Sequence, residues 1–471
     1  FYQIIGSDGT IYKTEQYGTL GTETADSVAT DEDGNFYILG GIYTYNFYGG
    51  VGAGSGDVYL RKFDNEGSHK WTKQFGTSNL DYGGIHGVDI GPNGNVFVTG
   101  ETASALDGNH IGDFDLYVRE YALDGTLLWS TQVGSIEEDR ARAIAVADDG
   151  SIYIAGTTNG NFGANSAGDG DALVIKFDAS RINTWTYQFG TAAMDQITDI
   201  EVDGEGNIII AGWTQGNLEG SQAGEGDIFI QKIDSSHNVL WTKQFGTAKN
   251  EIFDINLAIT EGNQIYVSGG TTGSLFADNS GDGNQEVYLV KFDQAGNQIW
   301  EDQFAQSSGG THDLLTGFGI SDKETIFLAG STDGNLGGAI ASSHDGFVLR
   351  YDTVRPNVSN IVAIPGNQQA VISWDIPVTE PDETNLQYEI VLTPDNQDNP
   401  TLALYGLTIA TGTITQMVPG EQYSIKVRAL YSDGYISEYL QANSSIAVYG
   451  PPDPPVNVVA YAHDSQVTVQ W

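Results

Sequence analysis

Acidic side chains recur at equivalent places along this 471-residue sequence and are its main candidates for chemistry. The members of one set lie a few residues after a Gly-Thr dipeptide, or after the dipeptide at the equivalent position. Each is followed directly by a run in which apolar residues alternate with polar ones. If such runs line the centre of a circular array, the set would form an acidic ring around a channel mouth. Capping of the bend into the run is the alternative role. The set comprises Glu23, Asp81, Asp139, Asp195, Glu251 and, in a looser alignment, Asp313.

Pairs of acids close the longer polar connections of the sequence. Two carboxylates at i and i+2, beside Asn side chains and backbone carbonyls, offer the oxygen ligands that Ca²⁺ prefers. Ca²⁺ takes about six to eight oxygens, however, and none of these connections has EF-hand spacing. Capping of the loop end is again the alternative. The pairs are Asp113 and Asp115, Asp169 and Asp171, and Glu225 and Asp227, with Asp57, Asp282 and Asp345 in related places.

Aromatic residues cluster on one Gly-rich connection, residues 42–56, whereas the equivalent connections carry mostly small polar residues. Exposed aromatic rings with hydroxyl groups suit sugar rings or a protein surface. Packing against a neighbouring loop or another domain is the alternative. The predicted ligand-binding residues are Tyr43, Tyr45, Phe47 and Tyr48.

Catalytic signatures are missing from the sequence. The seven His residues do not recur at equivalent positions, and no Ser nucleophile or third metal ligand accompanies Asp81 with His86 or His312 with Asp313. The chain has no Cys, which excludes thiolate catalysis and Cys-ligated metals. Phosphate loops and dinucleotide fingerprints are absent too. A carboxylate pair for glycoside hydrolysis stays open, because a sequence does not show the distance between two acids.

The charge of the chain limits its partners. There are 62 Asp and Glu against 19 Lys and Arg, a formal net charge of −43. Such a surface repels the phosphates of nucleic acids and anionic lipids, and it favours cations or basic partners. No window approaches the apolar length of a membrane helix. We therefore expect neither nucleic-acid binding nor direct membrane insertion.

A repeat positions all of these residues. Residues 168–219 contain four short apolar-alternating runs, at 172–178, 184–189, 197–202 and 208–212, separated by turn residues. The second run carries a Trp that recurs every 56 to 59 residues, and Lys13 holds its place in an earlier, weaker copy. Four strands at this period predict one blade of a propeller. The Trp residues are Trp71, Trp129, Trp185, Trp241 and Trp300.

The repeated segments GDGDALVIKFD, WTYQFGT and DQITDIEVDGEGNIIIAG resemble the SBBP beta-propeller repeat family. The resemblance covers residues 1–352 and implies a bacterial, mostly secreted or surface protein with no catalytic residues in the repeat itself. The family name implies seven blades, whereas six copies of each run can be counted. We therefore expect an all-β chain with a six-bladed propeller, seven blades being the alternative.

The remainder of the chain has a different pattern. Residues 353–449 contain Trp374 in an early strand and Tyr423 after a Pro-Gly turn, and they resemble a fibronectin type III β-sandwich in which the Tyr423 hydroxyl bonds upstream backbone. Residues 450–471 read as a stiff Pro-rich linker and the start of a second such domain.

Ring closure can also be predicted. The last blade has no outermost strand of its own, and residues 10–17 form a strand of that type with no blade of their own. We expect residues 10–17 to complete the sixth blade as its outermost strand.

The function that the sequence favours is a secreted or surface-displayed, non-enzymatic adhesion module. Its propeller would bind a glycan or protein ligand through the face that carries the long connections. A structural subunit of an extracellular appendage, filament or phage-like tail is one alternative, and a polysaccharide-acting enzyme is another. Ca²⁺ is the one cofactor that the acid pairs suggest.

Overall fold

Two units make up the chain, residues Phe1–Tyr351 and Asp352–Trp471. The structure is a computed structural model and describes residues 2–5, 11–43, 54, 56–162, 166–251, 254–260, 262–276, 284–304, 313–320, 325–333, 345–352, 358–376, 386–396, 399–430, 440–447, 459–463 and 466–470. Every regular element in these ranges is a β-strand. None of them is a helix that could cross a membrane.

The first unit begins with a hairpin and continues with repeated sheets that we call blades 1 to 6. The hairpin is β1 (Tyr2–Ile5) and β2 (Ile11–Glu15). Blade 1 contains β3 (Ser27–Thr30), β4 (Phe36–Ile42), β5 (Asp57–Phe63) and β6 (His69–Phe75). Blade 2 contains β7 (Asp81–Ile90), β8 (Val96–Thr102), β9 (Asp115–Tyr121) and β10 (Leu127–Val133). Blade 3 contains β11 (Asp139–Val146), β12 (Ile152–Thr158), β13 (Asp171–Phe177) and β14 (Asn183–Phe189).

The later blades follow the same order. Blade 4 contains β15 (Asp195–Val202), β16 (Ile208–Thr214), β17 (Asp227–Ile233) and β18 (Val239–Phe245). Blade 5 contains β19 (Asn256–Ile259), β20 (Ile265–Thr271), β21 (Glu286–Phe292) and β22 (Gln298–Phe304). Blade 6 contains β23 (Asp313–Ile320), β24 (Thr325–Thr332) and β25 (Asp345–Asp352).

Each of blades 1 to 5 combines the two later runs of one repeat copy with the two earlier runs of the next copy, as β15 and β16 are followed by β17 and β18 in blade 4. Blades 1 to 5 are four-stranded and antiparallel, with sequence neighbours paired side by side. The first strands of blades 2 and 3 pair in parallel at His86 and Ala143, so the first strand of each blade is the innermost. Successive connections therefore alternate between two faces, and the long connections share one of them.

Short turns join the two inner strands of each blade. In blade 4 the carboxylate of Asp203 accepts the backbone N–H groups of Glu205 and Asn207, at 3.0 and 2.9 Å. Gly206 has φ = 78°, a conformation that disfavours other residues. The turn sequence thus fixes the register of the hairpin.

Apolar side chains fill the space between successive blades. Tyr153 and Ala155 of blade 3 lie in one buried cluster with Ile200 and Ile208 of blade 4. The pairs of blades 1 and 2, 2 and 3, 4 and 5, and 5 and 6 have equivalent clusters. Each blade is thus apolar on both faces and depends on a neighbour on each side.

Two innermost strands also carry an acid that bonds the next blade. Asp89 accepts the Val146 N–H of blade 3, and Asp199 accepts the Leu257 N–H of blade 5, both at 2.7 Å. Asp89 is enclosed by protein on most sides, although part of the residue contacts solvent. This burial raises the pKa of Asp89 to about 6, and the negative charge of Asp199 raises it further.

The predicted closure of the ring by residues 10–17 is wrong. In the described residues β2 pairs with β1, from Tyr2 opposite Glu15 to Ile5 opposite Ile11, and blade 6 consists of β23, β24 and β25. The partner of β2 is β1, whose sequence matches the repeat only weakly and therefore does not mark it as a strand of this type.

The second unit has two sheets around one core. The first contains β26 (Ser359–Pro365), β27 (Gln369–Asp375) and β30 (Thr411–Thr415). The second contains β28 (Gln387–Pro394), β29 (Leu402–Leu407), β31 (Gln422–Leu430), β32 (Leu440–Gln441) and β33 (Ile446–Ala447). A separate hairpin consists of β34 (Val459–His463) and β35 (Gln466–Gln470).

The core of the second unit contains the two residues singled out in the sequence. The rings of Trp374 and Tyr388 meet edge to face at 5.1 Å. The hydroxyl of Tyr423 accepts the Val418 N–H at 3.0 Å, which confirms the predicted bond to upstream backbone.

Asp89 should make stability depend on pH in a defined window. The pKa of Asp89 is about 6 in the folded state and near 3.8, the value of an ordinary Asp, in the unfolded state. Between about pH 4 and about pH 6 the folded state therefore keeps a proton on Asp89 that the unfolded state has lost. The contribution of Asp89 to stability should therefore fall as pH rises from about 4 to about 6, by on the order of 3 kcal/mol, and stay level above about pH 6.

Asp89→Asn keeps an acceptor for the Val146 N–H and removes the charge, so its unfolding free energy should fall less steeply over this pH window by the Asp89 contribution. Urea unfolding at pH 4 to 8 measures it. Asp113→Asn, at an exposed acid, is the matched control and should keep the parental slope. An Asp89→Asn variant with the parental profile would contradict the assignment.

Candidate functional site

A glutamine near the end of each outermost strand holds both ends of the long connection of its blade. In blade 3 the Gln188 amide N–H₂ donates to Asp171 at 2.8 Å, where the connection ends, and to Gly160 O at 2.9 Å, where it begins. The amide oxygen accepts the Phe162 N–H at 2.8 Å. We call this arrangement the glutamine clamp.

The glutamine clamp is repeated in the neighbouring blades with the same geometry. In blade 4, Gln244 donates to Asp227 and Gly216 O at 2.9 Å each and accepts the Leu218 N–H at 2.8 Å. Gln132 of blade 2 and Gln303 of blade 5 make the corresponding bonds. Gln74 of blade 1 donates to Asp57 at 2.7 Å. The long connections thus leave one face of the unit from fixed points.

A glycine follows the outermost strand in blades 1 to 4 and has a role in the same arrangement. A Cβ on Gly190 would lie 2.6 Å from Asp171 Oδ1 and 2.9 Å from Asp195 Oδ2, and one on Gly246 would lie 2.5 Å from Asp227 Oδ1. Such contacts are too short for a side chain. The glycine is therefore required because two buried carboxylates flank it.

The six acids predicted as a ring lie at the beginning of the innermost strands or a few residues before it. The hydrogen bonds described for them are made within their own blades. Asp81 accepts the Thr77 N–H and the Thr102 hydroxyl, both at 2.5 Å, and Glu251 accepts the Thr271 hydroxyl at 3.0 Å. Burial raises the pKa values of Asp81, Asp139 and Asp195 above that of an ordinary Asp. Asp313 is buried, and Glu23 is half-buried and bonded to the Thr19 N–H at 3.0 Å.

Four of these acids, Asp81, Asp139, Asp195 and Glu251, make the hydrogen bonds expected of the capping alternative. The hydroxyl of Thr214, which donates to Asp195, accepts the Gly216 N–H at 2.9 Å. The same relay runs from Asp139 through Thr158 to Gly160. Each such acid therefore fixes the first turn of a long connection as well as the bend into its own strand.

The predicted metal pairs are divided between two environments. Asp115, Asp171 and Asp227 are buried and belong to the glutamine clamps, whereas Asp113, Asp169 and Glu225 are exposed. One oxygen of Asp115 and one of Asp227 have no hydrogen-bond partner in the structure. Within the described ranges no group of three or more His, Asp or Glu is arranged to hold a metal ion.

The predicted aromatic contact surface is described only at Tyr43. Tyr43 is half-buried, its ring lies 6.3 Å from that of Tyr82, and burial raises its pKa. Its hydroxyl and ring also lie within 3.7 Å of where Cβ atoms on Gly41 and Gly56 would be. Tyr43 therefore has packing contacts. Tyr45, Phe47 and Tyr48 lie outside the described residues.

Charged groups of the innermost strands face the centre of the unit. His86 Nδ1 lies 3.7 Å from Asp199 Oδ2, and burial together with the charges of Asp199 and Asp89 raises the pKa of Glu201 well above its usual range. Burial also raises the pKa of Asp199, while His86 lowers it.

The sequence analysis missed the glutamine clamp. Its signal was present, since a Gln stands three residues after each of the five recurring Trp residues and three residues after Lys13. In the sequence alone this Gln is one more residue of an alternating strand. Only the fold shows that the Gln188 side chain bonds both ends of the connection, 26 and 28 residues away at its beginning and 17 residues away at its end.

A family model described as "Beta-propeller repeat" (SBBP) matches residues 128–163. This segment runs from the outermost strand of blade 2 through the two inner strands of blade 3. This segment of the chain therefore matches one propeller repeat.

Two curated proteins are similar in sequence. The regulatory protein FlaEY of Caulobacter vibrioides is 23% identical over 393 residues, which are 73% of this chain and 40% of that protein. The uncharacterized WD repeat-containing protein L264 of Acanthamoeba polyphaga mimivirus is 21% identical over 415 residues, which are 67% of this chain and 29% of that protein. The chain thus spans less than half the length of either relative.

Solved structures resemble parts of the chain. The fn3 domain of human collagen alpha-1(XX) is 20% identical and covers 22% of this chain and 94% of its own, with a TM-score of 0.19. An alpha-L-arabinofuranosidase of Fusarium graminearum, solved with an iminosugar inhibitor, is 10% identical and covers 69% of this chain and 92% of its own, with a TM-score of 0.40.

Gln188→Ala should destabilise the first unit and release its long connection. The substitution removes one of the two hydrogen-bond donors to the Asp171 carboxylate and takes the Gln188 partner from the Phe162 N–H and the Gly160 carbonyl, at a cost of roughly 2–4 kcal/mol. Urea unfolding measures the loss, and limited proteolysis within residues 157–170 should become faster. Thr184→Ala, at an exposed residue of the same strand, should change neither. A Gln188→Ala variant as stable and as protease-resistant as the parent would refute the clamp.

Calcium binding by the acid pairs stays a prediction with a clear test. If the pairs bind Ca²⁺, millimolar Ca²⁺ should raise the melting temperature by mass action. Asp169→Asn should reduce that rise, since Asp169 is exposed and its loss leaves the glutamine clamp of Asp171 intact. An equal rise with Mg²⁺, or one that Asp169→Asn leaves unchanged, would indicate screening of the −43 charge instead.

Proposed function

We propose that this chain is a non-enzymatic interaction module, secreted or displayed on a cell surface, which binds a glycan or protein ligand through its long-connection face. The observation that carries the proposal is the glutamine clamp. In four neighbouring blades, the described bonds anchor both ends of the long connection.

Anchored connections on a rigid scaffold suit recognition. Binding costs less when the contacting segments are already ordered, because little conformational entropy is lost on association. Loops are also free to vary between blades when the scaffold, rather than the loop sequence, fixes their ends. The aromatic connection 42–56 is the variation that we assign to the ligand, with Tyr45, Phe47 and Tyr48 as its contact residues and Tyr43 as their packed base.

The hydrogen bonds made by the recurring acids support a binding role over catalysis. Glycoside hydrolysis needs two carboxyl groups that reach one bond of the substrate. In the described residues, the recurring acids at the beginning of the innermost strands bond Thr hydroxyls and backbone, and those of the clamps bond Gln and backbone. Their repetition serves every blade equally, as expected of structural residues.

We assign the second unit to a fibronectin type III fold that acts as a spacer for the first. The core around Trp374 and the bonded hydroxyl of Tyr423 support this assignment. The hairpin of β34 and β35 is consistent with the start of a second module of this kind. We retain six blades as the count of sheets that contain an innermost strand in the described chain.

The proposal is tested by binding to a printed glycan array and to immobilised extracellular matrix proteins. Tyr45→Ala/Tyr48→Ala should weaken the strongest signal at least about tenfold, because the proposed contact residues lose their rings. An unchanged melting temperature of the variant would assign the loss to contact with the ligand and not to folding. Tyr405→Ala, at a Tyr that is 70% exposed in the second unit, is the matched control and should bind like the parent.

Two results would overturn the proposal. A signal that the double substitution leaves intact would move the ligand away from this connection. Release of reducing sugar from an arrayed polysaccharide by the parent protein would make it an enzyme.

A further inference from the structure

Three aromatic residues of the long-connection face stand at positions where neighbouring blades carry small or polar residues. The first is Tyr43, which directly follows β4 and whose N–H donates to the Thr22 carbonyl at 3.1 Å. The same backbone bond forms in blades 2, 3 and 4 at 2.9 Å each. There the donors are Ala103, Asn159 and Gln215.

The second and third of these residues are Tyr82 and Phe114 of blade 2. Tyr82 directly follows the acid Asp81, and the residues after the corresponding acids of blades 1, 3 and 4 are Thr24, Arg140 and Gln196. The Phe114 carbonyl accepts the Asp139 N–H at 2.9 Å. In blades 1, 3 and 4 the equivalent carbonyls belong to Gly56, Gly170 and Gly226. Because other blades form without these rings, the blade fold requires none of the three.

The three rings lie side by side across the first blades. The ring centroids of Tyr43 and Tyr82 are 6.3 Å apart, and those of Tyr82 and Phe114 are 6.0 Å apart. Arg140 of blade 3 continues the line, since its Cζ lies 4.9 Å from the centroid of the Phe114 ring. All four residues are half-buried, so part of each contacts solvent. We call Tyr43, Tyr82 and Phe114 the aromatic row.

Paired donors and acceptors border the aromatic row at its blade 3 end. The Arg140 guanidinium donates to the carboxylates of Glu101 and Glu138. Glu101 is buried and stands opposite Tyr82 in the strand pairing of blade 2. The Arg140 and Glu138 side chains are 28% and 32% exposed, so both can exchange water for the polar groups of a ligand.

We propose that the aromatic row, with Arg140 and Glu138, is the subsite of the long-connection face that binds pyranose units of an uncharged glycan. The inference rests on the proposed function and names the class of its ligand. The rings of Tyr82 and Phe114 pack against the C–H face of a sugar ring. Arg140 donates hydrogen bonds to the sugar hydroxyls, and Glu138 accepts hydrogen bonds from them.

The polar border favours a sugar over an apolar protein surface. An apolar side chain on the aromatic row would remove water from Arg140 and Glu138 without replacing its hydrogen bonds, which is costly for charged groups. Sugar hydroxyls replace these bonds while the ring carbons cover the aromatic surface. A few placed polar groups beside aromatic rings are typical of small-molecule sites.

The charges at the site favour a ligand without charge. Arg140 already contacts two carboxylates, those of Glu101 and Glu138, so it offers no unpaired positive charge to an acidic sugar. The net charge of −43 also repels a polyanion from the chain as a whole. We therefore expect the aromatic row to discriminate against uronic acids.

Affinity gel electrophoresis of the whole chain tests the inference. The probes cast in the gel are a β-glucan, a mannan and a xylan, with alginate, a polyuronate, as the charged comparison. At least one uncharged polysaccharide should retard the chain, and alginate should not. Tyr82→Thr and Phe114→Gly should each weaken the retardation at least about tenfold, because each removes one ring of the contact.

Both substitutions restore a residue that another blade carries at the same position, so the blade should tolerate them. Tyr82→Phe keeps the ring and should retain binding. Tyr187→Thr is the matched control, because it removes a half-buried ring from the outermost strand of blade 3, where blade 2 carries Thr131. This variant should be retarded like the parent.

The outcomes separate this inference from the proposed function. Retardation that Tyr82→Thr and Phe114→Gly leave intact would overturn the inference, whereas the chain would still be a glycan-binding module. Retardation by alginate alone, or binding to immobilised matrix proteins without retardation by any polysaccharide, would also overturn the inference and leave the proposed function with another ligand. A chain that binds neither polysaccharides nor matrix proteins would overturn both.

Discussion

The structure of the first unit depends on one constraint: every blade is apolar on both faces, so each face must be covered. The clusters between successive blades meet this requirement from blade 1 to blade 6. Burying an aliphatic side chain contributes roughly 1.5–3 kcal/mol, and each interface contains several. A blade alone could not be stable, and the polar network of the long-connection face rests on this serial packing.

The glutamine clamp converts that packing into a binding scaffold. Its Gln lies on the outermost strand, its acid at the end of a long connection and its backbone partners at the beginning, so one amide joins three parts of the blade. The acid at the beginning of the innermost strand adds a second anchor through a Thr hydroxyl. The long connections can then differ in sequence from blade to blade without a change in the positions of their ends.

Much of the fold could be predicted from the sequence, because the turn residues and the recurring Trp mark where the strands of each repeat begin and end. The four strands per repeat and the bonded hydroxyl of Tyr423 were predicted. The clamp was not, since Gln188 reads as one more residue of a strand until the fold brings Gly160 and Asp171 to it. The closure by residues 10–17 was wrong because the register shift after Ile4, which identifies the partner of β2, is a property of pairing and leaves no mark in the sequence.

Native-state hydrogen exchange tests the central claim, that a blade is stable only where both faces are covered. Blades 1 and 6 each present an open face, where Val28 is 65% and Val348 is 47% exposed. The account predicts that β3 and β25 exchange through local openings well before the inner strands of blades 2 to 5, which should exchange together in one cooperative step. Uniform protection of all blades, or a β3 as protected as β7, would contradict it.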